Sequence, residues 1–79
     1  MARLKPKANH IGQNVVKLRA LRSLTQEQLA AKVQINGSDM TRQVIANIES
    51  GRRSVSEDQI RHLAKVFRCS FDEIFFGPR

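Results

Sequence analysis

Apolar residues recur with a helical period along nearly the whole chain. Ile11, Val15 and Leu18 lie on one face of a helix that begins near residue 10. Val16 and Leu21 widen this apolar stripe. The alternation of apolar and polar residues that is typical of strands does not occur, and β-branched residues do not cluster. The pattern therefore predicts an all-α fold.

Capping residues mark four further helix starts. Thr25, Ser56 and Ser70 are each followed three residues later by Gln or Glu, which is the capping-box pattern, with an apolar staple pair around each. Thr41 fits a fourth cap, and Met40 before it fits the staple position. The sequence predicts five helices, at about residues 10–22, 26–35, 42–50, 57–68 and 71–76.

Length and composition restrict the function classes. The 79 residues suffice for one small domain, and a hydrophobic fraction of 41% suffices for a folded one. Phe is the only aromatic residue type, so stacking platforms for single-stranded nucleic acid are not expected. No apolar run approaches the roughly 20 residues that cross a bilayer, and none follows the basic N-terminus as a secretion signal would require. We expect a cytoplasmic protein without a membrane partner.

Residues that could carry catalysis are few and scattered. His10 and His62 are isolated, and Asp58 and His62 make a surface pair that lacks a third member. The single cysteine, Cys69, excludes a disulfide framework and a cysteine-based zinc cluster, and we interpret it as a small apolar residue. The sequence predicts no enzyme, no cofactor, no metal site and no small-molecule substrate.

Charge gives the first positive indication of function. Fourteen Lys and Arg residues against seven Asp and Glu residues give a formal net charge of +7. Residues 1–22 contain six bases and no acid, whereas residues 23–50 carry a net charge of −1 and residues 51–79 a net charge of +2. A net positive charge of this size attracts both nucleic acid and anionic membranes, and by itself it does not indicate which of the two is bound.

The third predicted helix has two different faces. Ile45, Ile48 and Glu49 share one face. The residues on the other face are Arg42, Gln43, Ala46 and Asn47. Arg pairs with guanine, and Gln and Asn pair with adenine, so this outer face fits a DNA major groove. The alternative is an ordinary solvated face, because most surface helices are polar outside.

Residues 25–30 read TQEQLA, and residues 44–53 read VIANIESGRR. These two stretches resemble the helix-turn-helix domain of phage repressor and Cro-type transcription regulators, the XRE-like family. With its flanking segments the resemblance spans residues 11–76. It implies a compact five-helix, lambda-repressor-like DNA-binding domain whose second and third helices form the motif. It also implies a homodimer that binds palindromic operators, as a repressor or a controller-type switch of a restriction–modification system.

The connection between the second and third helices departs from the family's pattern. Residues 34–40 are about five residues longer than the tight turn that usually joins these helices. Asn36 and Gly37 both tolerate positive φ and suit a wide turn. We expect Met40 to enter the core, and the longer turn leaves the angle of the third helix open.

The resemblance implies roles for the polar residues around the motif. Base contacts are expected from Arg42, Gln43 and Asn47, with Ala46 on the same face. Phosphate contacts are expected from Thr25, Gln26, Thr41, Ser50, Arg52 and Arg53. The start of the second helix suits a phosphate because its backbone N–H groups are free and its dipole is positive there. The alternatives are an exposed Gln26 and solvated charges at Arg52 and Arg53.

Two further sets of residues are interpreted as structural or as interface residues. Glu49 lies on an inner face where an unpaired carboxylate is costly, and the resemblance implies a salt bridge between it and Arg19; the alternative is an exposed Glu49. Phe67 and Phe71 are expected in the core. Because the fifth helix is too short to hide both Phe75 and Phe76, one of them is a candidate dimer contact, and packing back onto the first helix is the alternative.

We divide the chain into a basic flexible arm, residues 1–8, and a helix-turn-helix domain, residues 9–79. Arg3, Lys5 and Lys7 of the arm either follow the DNA backbone or minor groove or act only through long-range attraction. The alternative function is an antitoxin-like protein-interaction module that also binds DNA to regulate its own synthesis. Binding to RNA or a membrane is a third and weaker hypothesis.

Overall fold

The computed structural model describes residues 8–78 and contains five helices within that range. They are α1 (Ala8–Leu21), α2 (Gln26–Ile35), α3 (Arg42–Glu49), α4 (Glu57–Phe67) and α5 (Phe71–Phe76). The prediction of an all-α fold is confirmed, and each helix end lies within two residues of its predicted position. Of the predicted arm, only Ala8 is described, and it is the first residue of α1. Arg3, Lys5 and Lys7 lie outside the described residues.

The four predicted caps fix where α2, α3, α4 and α5 begin. The side chains of Thr25, Ser56 and Ser70 each accept a hydrogen bond from the backbone N–H three residues on, and the Gln or Glu side chain there accepts one in return. Thr41 Oγ1 accepts from the N–H of Val44 at 3.2 Å. Each cap contributes about 1 kcal/mol to stability.

The core draws on all five helices and on the turn before α3. Its fully buried side chains are Val15, Leu18, Leu29, Val33, Met40, Ile45, Ile48, Leu63, Phe67 and Ile74. Met40 is in the core as expected. The expectation that Phe71 fills the core is wrong, because its side chain is exposed. Val16 and Leu21, which widen the apolar stripe of the first helix, are exposed as well. Val16 and Leu21 lie on flanks of α1 away from its inner row, and Phe71 lies at the edge of the core, where its ring packs edge-on against Phe75.

The longer turn between α2 and α3 is fixed by hydrogen bonds. Gly37, with φ of 99°, donates its N–H to the carbonyl of Gln34, and the N–H of Ser38 donates to the carbonyl of Val33. These two bonds end α2 in a Schellman motif. Gln34 Nε2 donates to the carbonyl of Met40 at 2.8 Å, and the Met40 N–H donates to Ser38 Oγ at 3.1 Å. These bonds hold Met40 in the core, and α3 still packs against both α1 and α2.

Gly12 allows α1 to cross the end of α3 at very short distance. A Cβ atom at this position would lie 2.1 Å from the carbonyl oxygen of Ile48 and 2.9 Å from that of Glu49. Both are backbone atoms, which move aside only if the helix moves. The contact therefore requires glycine, and the sequence analysis did not identify it.

An ion pair between Arg19 and Glu49 fixes the same two helices. Arg19 Nε lies 2.7 Å from Glu49 Oε2, and its Nη2 donates to Glu49 Oε1 at 3.1 Å. The third guanidinium nitrogen, Nη1, donates to the carbonyl of Leu24 at 2.9 Å, just before α2. Only 6% of the Glu49 side chain and 20% of the Arg19 side chain are exposed. The pair thus links α1, the start of α2 and the end of α3 in a site largely closed to water.

Replacing Gly12 with alanine should destabilise the fold. Although alanine favours helices, the Cβ collision with the backbone of Ile48 outweighs that gain, and we expect a loss of about 2–3 kcal/mol of unfolding free energy. Urea unfolding followed by circular dichroism measures it. Gln13→Ala, at an exposed position of the same helix, is the matched control and should change stability little. Equal stability of the two variants would contradict the close approach.

Removing the buried carboxylate should also destabilise the fold. Glu49→Ala leaves the Arg19 cation unpaired in a site of low exposure, and the expected loss is about 3 kcal/mol. Glu27→Ala, at an exposed carboxylate of α2, serves as the control. In a double-mutant cycle, Arg19→Ala combined with Glu49→Ala should cost about 1–3 kcal/mol less than the sum of the two single changes. Additive losses would mean that the pair contributes no coupling energy.

Candidate nucleic-acid interface

The outer face of α3 presents the side chains that the sequence assigns to base contacts. Arg42 and Gln43 are exposed, and Ala46 and Asn47 are half-buried. Gln43 Nε2 donates to Asn47 Oδ1 at 3.3 Å, so the two amides are joined one helical turn apart. Ile45 and Ile48, on the opposite face, are buried. α3 is therefore anchored on one side and open on the other, as a helix that enters a groove must be.

A cleft of about 450 Å³ brings the start of α2 together with the start of α3. Its lining residues are Arg19, Ser23, Leu24, Thr25, Gln26, Glu27 and Arg42. One candidate base-reading residue, Arg42, thus shares a cleft with two candidate phosphate ligands, Thr25 and Gln26. The remaining phosphate candidates, Thr41, Ser50, Arg52 and Arg53, do not line it.

Gln26 has a structural partner that the sequence analysis missed. Its Nε2 donates to Glu49 Oε1 at 2.8 Å, and its side chain is half-buried rather than freely exposed. The Glu49 carboxylate therefore binds Arg19 and Gln26 together. A carboxylate has about four lone-pair sites, and an arginine fork fills two of them, so a buried Glu49 needed a further donor. That count was the one signal in the sequence that a third residue was required.

Hydrogen bonds at the C-terminal end of α3 fix the conformation of the residues that follow it. Gly51, with φ of 80°, donates its N–H to the carbonyl of Ile48, and the N–H of Arg52 donates to the carbonyl of Asn47 at 3.0 Å. The helix therefore ends in a Schellman motif. Ser50 Oγ donates to the carbonyl of Asn47 at 3.1 Å. Arg52 and Arg53 are exposed directly after this turn. The two guanidinium groups are thus placed beside the end of α3 with their side chains in solvent.

Aromatic rings of α5 form a second exposed surface, which we call the aromatic face: Phe71, Phe75 and Phe76. Phe75 packs partly against the core, whereas 63% of Phe76 is exposed. Ring centroids are 6.5 Å apart for Phe71 and Phe75 and 6.3 Å for Phe75 and Phe76. The buried Asn14 of α1 donates its Nδ2 to the carbonyl of Ile74 at 2.9 Å and fixes α5 in place.

Two further groups of titratable residues lie on α4 and around the start of α5. His62 Nε2 is 3.6 Å from Asp58 Oδ2 on α4. Burial raises the pKa of the Cys69 thiol, the Glu73 carboxylate adds to the rise and Arg22 opposes it. A raised pKa keeps the thiol protonated, as expected of a packing residue. Among residues 8–78, no cluster of side chains suits a metal ion, and no helix combines the length and the apolarity that a bilayer crossing needs.

Comparisons with known proteins agree with this geometry. A helix-turn-helix family model matches residues 15–74. The competence pilus inhibition repressor of Acinetobacter baylyi is 37% identical over 65 residues, which are 82% of this chain and 54% of the repressor. The chain therefore spans about half the length of that curated relative.

Two solved structures resemble the fold. The restriction-modification controller protein C.AhdI of Aeromonas hydrophila has a TM-score of 0.76 and 29% identity, over 86% of this chain and 91% of the controller. The clp gene regulator ClgR of C. glutamicum has a TM-score of 0.77 over 89% of this chain and 84% of its own, and at 17% identity it supports the fold alone. Proteins of this kind are generally not enzymes. The family model matches most of the chain, and the outer face of α3 is accessible. This chain therefore belongs to the helix-turn-helix family of DNA-binding transcription regulators.

Proposed function

We propose that the chain is a cytoplasmic, sequence-specific regulator that binds palindromic double-stranded DNA operators as a homodimer. It acts by occupying DNA, as a repressor or a controller-type switch, and without a catalytic step. The observation that carries the proposal is the outer face of α3. There, Arg42, Gln43 and Asn47 face outward while Ile45 and Ile48 fix the helix to the core.

Base reading follows from the donors and acceptors on that face. The Arg42 fork suits the O6 and N7 acceptors of guanine, and the joined amides of Gln43 and Asn47 suit adenine. Ala46, between them, offers a methyl contact to thymine. The hydrogen bond between the two amides limits their rotation before binding, so less side-chain freedom is lost on the DNA.

Phosphate contacts on either side of α3 set its position in the groove. At the start of α2, free N–H groups and the amide of Gln26 meet one backbone, with Thr25 and Thr41 at the two helix starts. Ser50, Arg52 and Arg53 follow α3 and meet phosphates at its other end. Because Gln26 is bonded to Glu49 at the end of α3, the phosphate contact of α2 and the depth of α3 are mechanically linked.

Dimerisation places two copies of α3 in successive major grooves. Half-sites one helical turn apart, about 34 Å, require a two-fold axis between protomers. The aromatic face is the candidate contact, because Phe76 and Phe71 expose apolar rings that a second copy would cover. Phe75 packs edge-on against both rings and partly against the core.

Arg42→Ala should relax preference at one base pair of each half-site. The lost bidentate contact is worth about 1–3 kcal/mol of discrimination against the wrong base. Selection of bound duplexes from random DNA at a fixed salt concentration, before and after the change, measures it. Equal weakening on every sequence would refute base reading by Arg42.

Arg53→Ala is the matched arginine change for a phosphate contact. It should weaken binding about equally on all sequences and reduce the slope of log affinity against log salt by about one unit. Titration of the selected operator across a salt series gives the slope. A change in base preference, or an unaltered slope, would contradict the assignment of Arg53 to a phosphate.

Phe76→Ser should weaken self-association, because a ring that is 63% exposed would no longer be covered by the partner. Analytical ultracentrifugation should show more monomer, and affinity should fall on a two-half-site duplex but not on a single half-site. Ile35→Ser is the control, since Ile35 is 85% exposed on α2, away from the aromatic face. Equal dimerisation of both variants would rule out this interface.

A further inference from the structure

A second charged surface lies between the ends of α2 and α4. Two adjoining hollows, of about 320 Å³ and 390 Å³, share Lys32, Val66 and Arg68 as lining residues. We call this surface the basic groove; its main charged and apolar lining residues are Arg22, Lys32, Ile35, Lys65, Val66 and Arg68. Among the described residues, none from α3 lines it, so it is separate from the base-reading face.

The lining of the basic groove, as far as the structure describes it, contains cations and no carboxylate. In residues 8–78 neither hollow is lined by a carboxylate, and none of the four ion pairs found there involves its cations. Arg22 is held in place because its guanidinium donates to the carbonyl of Phe67. Lys32 and Lys65 lie in the last turns of α2 and α4, where a cation complements the helix dipole. The helix dipoles explain why the two lysines lie at these helix ends, but they do not explain why Arg22 and Arg68 line the same groove.

Arg68 adopts a conformation that a side chain disfavours. Its φ is 55° at the left-handed end of α4, where glycine fits without strain. Its side chain is exposed. Glycine would relieve the strain at this position, so folding alone does not call for an arginine whose charge lies in solvent beside three other cations.

Apolar side chains in the groove decide which kind of anion fits. Ile35 is 85% exposed beside the cations, and Val66 is half-buried below them. A DNA backbone would use the cations and leave Ile35 in water. A protein segment that carries both carboxylates and apolar side chains would use the whole surface, as interfaces with apolar centres and charged rims do.

We propose that the basic groove binds an acidic segment of a partner protein in which carboxylates are interspersed with apolar side chains. The carboxylates meet Lys32, Lys65 and Arg68, and the apolar side chains cover Ile35 and Val66. Because α3 takes no part in the groove, a DNA-bound protomer can hold this partner at the same time.

The test uses the full chain and a fluorescein-labelled synthetic peptide of glutamates with interspersed leucines, followed by fluorescence anisotropy. Arg68→Glu should weaken peptide binding about tenfold, since one attraction is replaced by a repulsion. Lys17→Glu makes the same change of charge at an exposed site on α1, outside the groove, and should weaken binding far less. Arg68→Gly should also weaken binding while raising Tm by about 4 °C, because the backbone strain is relieved.

Any one of four results would overturn the proposal. Equal effects of Arg68→Glu and Lys17→Glu would mean general attraction by net charge. Equal binding of a peptide with serine in place of leucine, or unchanged binding to Ile35→Ser, would exclude the apolar contact. A larger loss of affinity for a random-sequence duplex than for the peptide in Arg68→Glu would make the groove a phosphate surface. Arg42→Ala should bind the peptide normally, so failure of base reading and failure of the groove are distinguishable.

Discussion

One buried carboxylate joins three helices of this protein at the end of α3. Glu49, the last residue of α3, accepts two hydrogen bonds from Arg19 of α1 and one from Gln26 of α2. A charge with 6% exposure is stable only when its hydrogen-bonding capacity is filled, and these three bonds fill most of it. The same contact therefore satisfies a costly group and fixes three helices relative to one another. It also explains why a longer turn before α3 does not free that helix: its far end is bound, and Met40 anchors its near end.

Close packing at Gly12 adds a steric constraint to the hydrogen bonds of Glu49, because it sets how near α1 lies to the end of α3. The ion pair sets the direction of α1 against α3, and the absence of a side chain at Gly12 sets the distance between them. A helix that reads bases must be held to within a fraction of an ångström, since misplaced donors lose their bonds. In a domain of this size the core alone provides a small margin of stability. If α3 reads bases as proposed, a few specific contacts at its end therefore supply much of the positional precision that this reading needs.

The distribution of charge separates two surfaces of one small domain. Arg42, Arg52 and Arg53 lie around α3, where a phosphate backbone and guanine edges can meet them. The cations of the basic groove lie near the ends of α2 and α4, beside the exposed Ile35 and the half-buried Val66, and we propose that a mixed acidic and apolar segment binds there. Net charge attracts any polyanion, and the neighbouring residues decide which one binds. On these two proposals both surfaces can be occupied together, because α3 contributes no lining residue to the basic groove.

The sequence by itself determined the helices, their starts and the outer face of α3, because caps, staples and periodicity act between residues a few positions apart. Thr25 with Gln28, or Arg42 with Gln43 and Asn47, can be identified without knowing the fold. The pairing of Arg19 with Glu49 was also predictable, but only through the family resemblance. Tertiary structure alone decided that Gln26 completes the Glu49 site, that Gly12 touches the backbone of Ile48, and that Phe71 lies outside the core. It also brought Lys32 and Arg68 into one groove. Each of these features depends on how closely helices that are distant in the sequence approach one another. Local patterns along the chain do not specify the distances between such helices.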